Sequence, residues 1–128
     1  MTLGEKQKKF TYNIAQLIFF ALRNGFEFTF GEVYRTLEQQ KIYFDTGRSK
    51  TMNSRHLDRL AVDFNIFKDG KMLFSDKPTL KQDLQIALVL GDYWISLNTD
   101  NVWGGDWNRN HNALDESFQD PYHFEMKP

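Results

Sequence analysis

Apolar positions in the first part of the chain recur at helical spacing. Phe10, Ile14, Leu17, Ile18, Ala21 and Leu22 share one face, and Asn24-Gly25 follows, a dipeptide suited to a left-handed helix end. The pattern predicts an amphipathic helix over about residues 5–24. Phe26, Phe28 and Phe30 then alternate with Glu27 and Thr29, which predicts a half-buried strand with its phenyl rings inward. Thr36 followed by Gln39 is a capping-box pattern and starts a second helix just after Arg35, running to about Phe44. Arg35 thus stands at a strand-to-helix junction. Residues 46–55, TGRSKTMNSR, have no periodicity and are expected to form a loop. From Leu60 the period becomes two: Leu60, Val62, Phe64 and Ile66 on one face, Ala61, Asp63, Asn65 and Phe67 on the other. Asp69-Gly70 makes a hairpin turn into a return strand from Lys71 to Phe74. Thr79 with Gln82 is another capping-box pattern, opening a third helix through Leu80, Leu84, Ala87, Leu88, Gly91 and Ile95. After it come WGGDW, a polar loop from Asn108 to Gln119 and a short terminal strand, YHFEM. The expected fold is α+β, a single domain with a small, mostly antiparallel sheet packed against about three helices.

Composition narrows the function classes. A chain of 128 residues is long enough to bury one core, so residues 1–128 are expected to form one domain. With 41% hydrophobic and 26% charged residues the chain is globular rather than disordered, and 12 Phe predict an aromatic core. The net charge is −1, with ten Lys or Arg against six acids in residues 1–60 and six against eleven beyond; that asymmetry is too mild for a nucleic-acid partner. Without cysteine, any zinc must be held by His and carboxylates. The apolar patch IAQLIFFAL is short and interrupted by Gln16, so neither a secretory leader nor a membrane span is expected.

Strand alternation singles out Asp63. If Leu60, Val62, Phe64 and Ile66 face the core helices, Asp63 points to the opposite face, and His56, in the loop before the strand, can fold back toward it. Catalytic zinc takes three protein groups and an open position, so a third group is needed. DPYHFE supplies a candidate: Pro121 pushes Asp120 toward an extended conformation, and the turn into the last strand lets Asp120 and His123 converge. The imagined site is His56, Asp63 and His123 on zinc, with Asp120 beside the metal-bound water.

These motifs resemble a family. Ser54-x-His56-x(6)-Asp63 followed by Asp120-x-x-His123 resembles the zinc peptidases of peptidoglycan, which include D-alanyl-D-alanine carboxypeptidases, the D,D-dipeptidases of vancomycin resistance and phage L-alanyl-D-glutamate endopeptidases. Arg35 with Gln40 is similar to the family's R-x(4)-Q element, SRHLDRLAVD to its S-x-H-x-x-G-x-A-x-D signature, and WGGDW with DPYHFE to its closing segment. The resemblance implies that His56, Asp63 and His123 bind Zn2+, that Asp120 is the catalytic base, that Arg35 holds or polarises substrate, and that Gln40 and Ser54 belong to the substrate-binding set. Arg59 stands where the signature usually has Gly, and Asp120 where the carboxypeptidases and dipeptidases have Glu; both departures resemble the phage endopeptidase branch.

The expected function is therefore hydrolysis of the L-alanyl-D-glutamate bond of the stem peptide by a monomeric phage or prophage endolysin. Such a lysin would wait in the host cytoplasm and reach the wall once the membrane is permeabilised. Two alternatives stay open: a D-alanyl-D-alanine carboxypeptidase or dipeptidase, and a catalytically silent wall-binding zinc domain. Plainer readings also exist for single residues. Arg35 could be a salt-bridge partner of Glu32 or Glu38, Ser54 could cap the loop, and Asp120 could only initiate the turn. Glu125 shares a strand face with His123 and could hydrogen-bond it, whereas His111 lies outside the pattern. Trp103 and Trp107 are expected to pack, with Gly104-Gly105 allowing a tight turn.

Overall fold

The fold was obtained as a computed structural model, which describes residues 1–115 and 119–128. Residues 116–118, part of the expected polar loop, lie outside the described residues. Helix α1 spans Leu3–Arg23 and begins in a capping box: Thr2 Oγ1 accepts the Glu5 N–H and the Glu5 carboxylate accepts the Thr2 N–H. Strand β1 is Phe26–Phe30, α2 is Leu37–Asp45, β2 is Ala61–Lys68, β3 is Lys71–Met72, α3 is Leu80–Leu97, β4 is Asn101–Trp103 and β5 is His123–Met126. Short 3-10 turns cover Arg55–Asp58 and Lys77–Thr79.

Every strand pair is antiparallel, in the order β1-β2-β5-β4, with β3 added to the far end of β2. This is the α+β architecture expected from the order of elements. Leu60, Val62, Phe64 and Ile66 are buried, as their alternation predicts, against α1 and α3. The core is aromatic: Phe64 stacks on Phe28 at 4.5 Å, and Phe124 is ringed by Phe64, Trp94 and Trp103 at 6.0 to 6.4 Å between centroids. Gly91 on α3 lets the Trp103 ring lie on the helix, since a Cβ there would fall 2.2 Å from it.

Three local expectations are corrected, and one strand was not expected. Phe30 is exposed rather than inward, because it ends an edge strand and only tilts against Phe64. The return strand after Asp69-Gly70 stops at Met72, since Phe74 takes a positive φ and donates its N–H to Asp83. That same carboxylate accepts the Thr79 hydroxyl, so α3 starts from the 3-10 turn at Pro78 with no capping box between Thr79 and Gln82. Strand β4 carries no alternation because all three of its residues are buried, and periodicity alone does not predict it. Among the described residues no helix is long and apolar enough to cross a membrane.

Candidate metal centre

Two neighbouring strands and one turn build the site. Asp63 on β2 and His123 on β5 are direct cross-strand partners on the face opposite the core. His56 arrives from the turn Arg55–Asp58, which Ser54 caps by accepting the His56 N–H. That turn closes with Arg59 in the left-handed region, the Leu60 N–H reaching Arg55 and the Arg59 N–H reaching His56. The backbone conformation that the resemblance associates with Gly is thus kept by an arginine.

The three side chains meet. One ligand atom from each of His56, Asp63 and His123 lies within 4.8 Å of the other two. Asp63 Oδ1 is 3.2 Å from His56 Nε2 and 3.2 Å from His123 Nδ1. The outer nitrogens are tied back: His56 Nδ1 lies 3.2 Å from the Val33 carbonyl and His123 Nε2 lies 2.8 Å from Glu125. These contacts favour a proton on the outer nitrogen of each ring and a lone pair on the inner one. His56 Nε2 is buried with no hydrogen-bond partner, which is costly unless a cation occupies the point it faces. Two imidazoles and a carboxylate, without sulfur, suit a divalent ion, and the donor set therefore fits a metal.

Charge at the centre follows from the same packing. Burial alone would push the Asp63 carboxyl up, but the hydrogen bond with His123 and the closeness of both His123 and His56 hold it well below the ordinary range. Burial would lower His123, yet Asp63 and Glu125 on either side of its ring push it up to about 9 in the metal-free protein. Asp120 is pushed up, first by burial and then by the Asp63 charge, against the opposing pull of His123.

Asp120 Oδ2 stands 4.0 Å from His123 Nδ1. Its backbone N–H donates to Gly104 and the Gly104 N–H donates to His123, at 2.9 and 2.8 Å. That approach needs glycine, since a Cβ on Gly104 would fall 2.1 Å from the Asp120 carbonyl oxygen. The WGGDW segment therefore sets the position of the last turn. Trp103 packs in the core as expected, while Trp107 tilts against His123 at 5.4 Å and lines the cleft.

A cleft of about 330 Å3 opens over His56, His123 and Asp120. Arg35 forms part of its opposite wall, ion-paired with Glu32 as the plainer reading allowed, and Nη1 donates to Gln40 and Ser54 at 2.6 and 3.3 Å. Gln40 is fully buried, and its amide also donates to Ser49 and to the Thr51 carbonyl. Ser54 is buried as well and serves both the turn and Arg35. Tyr43, which joins them through its hydroxyl at 3.2 Å from Glu32, carried no motif that would have marked it. His111 pairs with Asp92, away from the cleft.

Known proteins resemble this chain in fold and in sequence. The crystal structure of the Serratia marcescens L-Ala D-Glu endopeptidase ChiX is similar in fold, with a TM-score of 0.61 and 24% identity over 97% of this chain and 85% of that one. Among curated proteins none matches the sequence significantly. The family described as phage L-alanyl-D-glutamate peptidase matches residues 5–127, a span holding all the cleft residues described above, and the chain belongs to that family of peptidases.

Proposed function

We propose that the protein is a zinc endopeptidase in which His56, Asp63 and His123 hold the ion and Asp120 is the general base for cleavage of the L-alanyl-D-glutamate bond in peptidoglycan. The observation that carries this reading is the convergence of the three ligand atoms, with the buried and unpartnered His56 Nε2 among them. Zinc suits this donor set, which has three protein groups and no thiolate. When bound, the ion supplies a Lewis acid and brings water toward a pKa of about 7.

The chain's own groups do the remaining work. Asp120 takes the proton of the attacking water and passes it to the departing amine; its raised pKa brings the carboxyl closer to the pH at which both transfers run. Arg35 orients the peptide carbonyl and meets the negative charge that develops on its oxygen. Gln40 and Ser54, both turned toward the Arg35 guanidinium, serve the substrate by holding that group in place. Glu125 fixes the tautomer and direction of His123. As a phage or prophage lysin, the enzyme works as a monomer of one peptidase domain and reaches the wall after the host membrane is opened.

Digestion of purified sacculi followed by mass spectrometry of the fragments tests the reading. The expected products are glycan strands retaining L-alanine and peptides with a new amino-terminal D-glutamate. Release of terminal D-alanine with the L-alanyl link intact would assign the carboxypeptidase activity instead. Intact sacculi from a zinc-loaded protein would leave only the silent wall-binding domain.

A further inference from the structure

The wall of the cleft facing the metal centre carries more positive charge than the chemistry of the centre uses. Arg35, Arg48, Lys50 and Arg55 all line it. Arg35 is neutralised by Glu32, and Arg55 by Asp58 at 2.8 Å. Arg48 forms no ion pair among the described residues, and its guanidinium lies over the Tyr43 ring, 4.7 Å from the centroid. The Arg35 guanidinium lies over the same ring at the same 4.7 Å. Tyr43 is therefore a shared platform for two guanidinium groups, with a single carboxylate, Glu32, bonded both to Arg35 and to the Tyr43 hydroxyl. Two cations around one anion leave one positive charge beside the Tyr43 ring, while the acids of the cleft, Asp120 and Glu125, belong to the metal centre. Stacking on an aromatic face also orders the Arg48 fork before a ligand arrives, which lowers the entropy lost on binding.

We infer that Arg48, positioned by Tyr43, is the residue that recognises the free carboxylate of the substrate's glutamate. This rests on the function proposed above. The scissile nitrogen belongs to glutamate, which has two carboxyl groups; whichever one carries the peptide onward, the other remains ionised a few bonds from the reaction. Arg48 lines the same cleft as His56, His123 and Asp120, so a substrate whose scissile carbonyl sits at the metal centre carries its free carboxylate into the pocket that Arg48 borders. Arg35 then serves the carbonyl and Arg48 the carboxylate. Its planar fork matches a carboxylate in a bidentate pair, and the pairing discriminates against a neutral carboxamide of the same shape.

The test uses two peptides that differ only in whether that free carboxyl is a carboxylate or a carboxamide. The zinc-loaded protein is expected to cleave the carboxylate form with a kcat/KM about tenfold higher, the difference lying mainly in KM. Arg48→Gln should erase that preference, its loss falling on the carboxylate peptide far more than on the carboxamide peptide, and Arg48→Lys should retain part of it. Tyr43→Leu should weaken the preference without removing it. Equal cleavage of the two peptides by the parent, or a preference unchanged in Arg48→Gln, would overturn the inference; so would a loss in Arg48→Gln that strikes both peptides alike, as a packing role predicts. Calorimetric titration with the carboxylate peptide separates this from the proposed reaction. If the parent binds that peptide in an Arg48-dependent way yet cuts neither, the anion site stands and the hydrolase reading falls. If it neither binds nor cuts, both fall.

Discussion

The two walls of the cleft are held by different physics. Asp63 and His123 lie on adjacent strands whose opposite face is packed with Phe64, Phe124 and Trp103, so the hydrophobic core sets their separation. The facing wall is built from Arg35 and the loop after the short helix α2, with Gln40, the buried residue of that helix, behind it. Polar side chains hold it: Arg35, Gln40, Ser49 and Ser54 bond to one another and to the Thr51 carbonyl. Under the proposed function, the groups that would share one ion stand on the side backed by the core, and the groups that would meet the peptide stand on the polar side. The lesson is that a single fold can separate the demands of metal geometry from those of substrate fit, and substitutions on the two walls should fail in different ways.

The largest effect is expected from Asp63→Ala. The variant loses bound zinc and with it all hydrolysis, both read by metal analysis and by turbidity of a sacculus suspension. Asp120→Asn follows, keeping the metal while hydrolysis drops about 10²- to 10⁴-fold, the usual range for a lost general base. Equal loss of zinc in both variants would break the division between ligands and base.

pH sharpens the contrast further. In the metal-free protein His123 titrates at about 9, against an ordinary 6.5, because Asp63 and Glu125 favour its charged form. The stabilisation is therefore complete below pH 6.5 and is lost as pH rises through 9. Urea denaturation in a chelator should show the metal-free protein weakening across that window. With zinc present the trend should diminish or reverse, because the metal takes the neutral ring and competes with the proton. On the other wall, Gln40→Ala should cost about 1–3 kcal/mol by leaving buried partners unsatisfied. It should raise KM and leave zinc affinity unchanged, which a chelator competition assay would read.

The rigid wall was also the more legible one. Period-two alternation from Leu60 to Ile66 is enough to turn Asp63 away from the core, and the short terminal strand holding His123 needed only to pair beside it. The polar wall left fainter traces. The Arg35–Gln40 spacing and the Glu32 partner were visible, yet Tyr43 looks like an ordinary surface residue until the chain folds, because side-chain networks between a loop and a helix have no period. Strand β4 was hidden for another reason: all three residues, the polar Asn101 included, are buried, so neither burial nor polarity alternates along it. The capping patterns divided. Thr36 caps α2 as expected, whereas the Thr79 hydroxyl is drawn to Asp83, which tertiary contacts had already placed at Phe74.

The smallest predicted effect concerns Arg59, at the junction where the His56 turn becomes β2. Its φ of 56° is a conformation that costs an L-residue about 1–2 kcal/mol. Glycine would remove that strain but lose about 0.5–1 kcal/mol through the added freedom of the unfolded chain. It would also lose the guanidinium packed over Tyr34 at 4.1 Å, an exposed contact worth about 0.5–1 kcal/mol. These contributions nearly cancel, so Arg59→Gly should leave stability within about 1 kcal/mol of the parent. Alanine keeps the strain and still forfeits the ring contact, so Arg59→Ala should be less stable than Arg59→Gly although glycine is the more flexible residue. Urea denaturation of the pair decides the matter. The reverse order would mean that the turn presenting His56 does not hold its left-handed residue in solution, and the rigid wall would then end before His56.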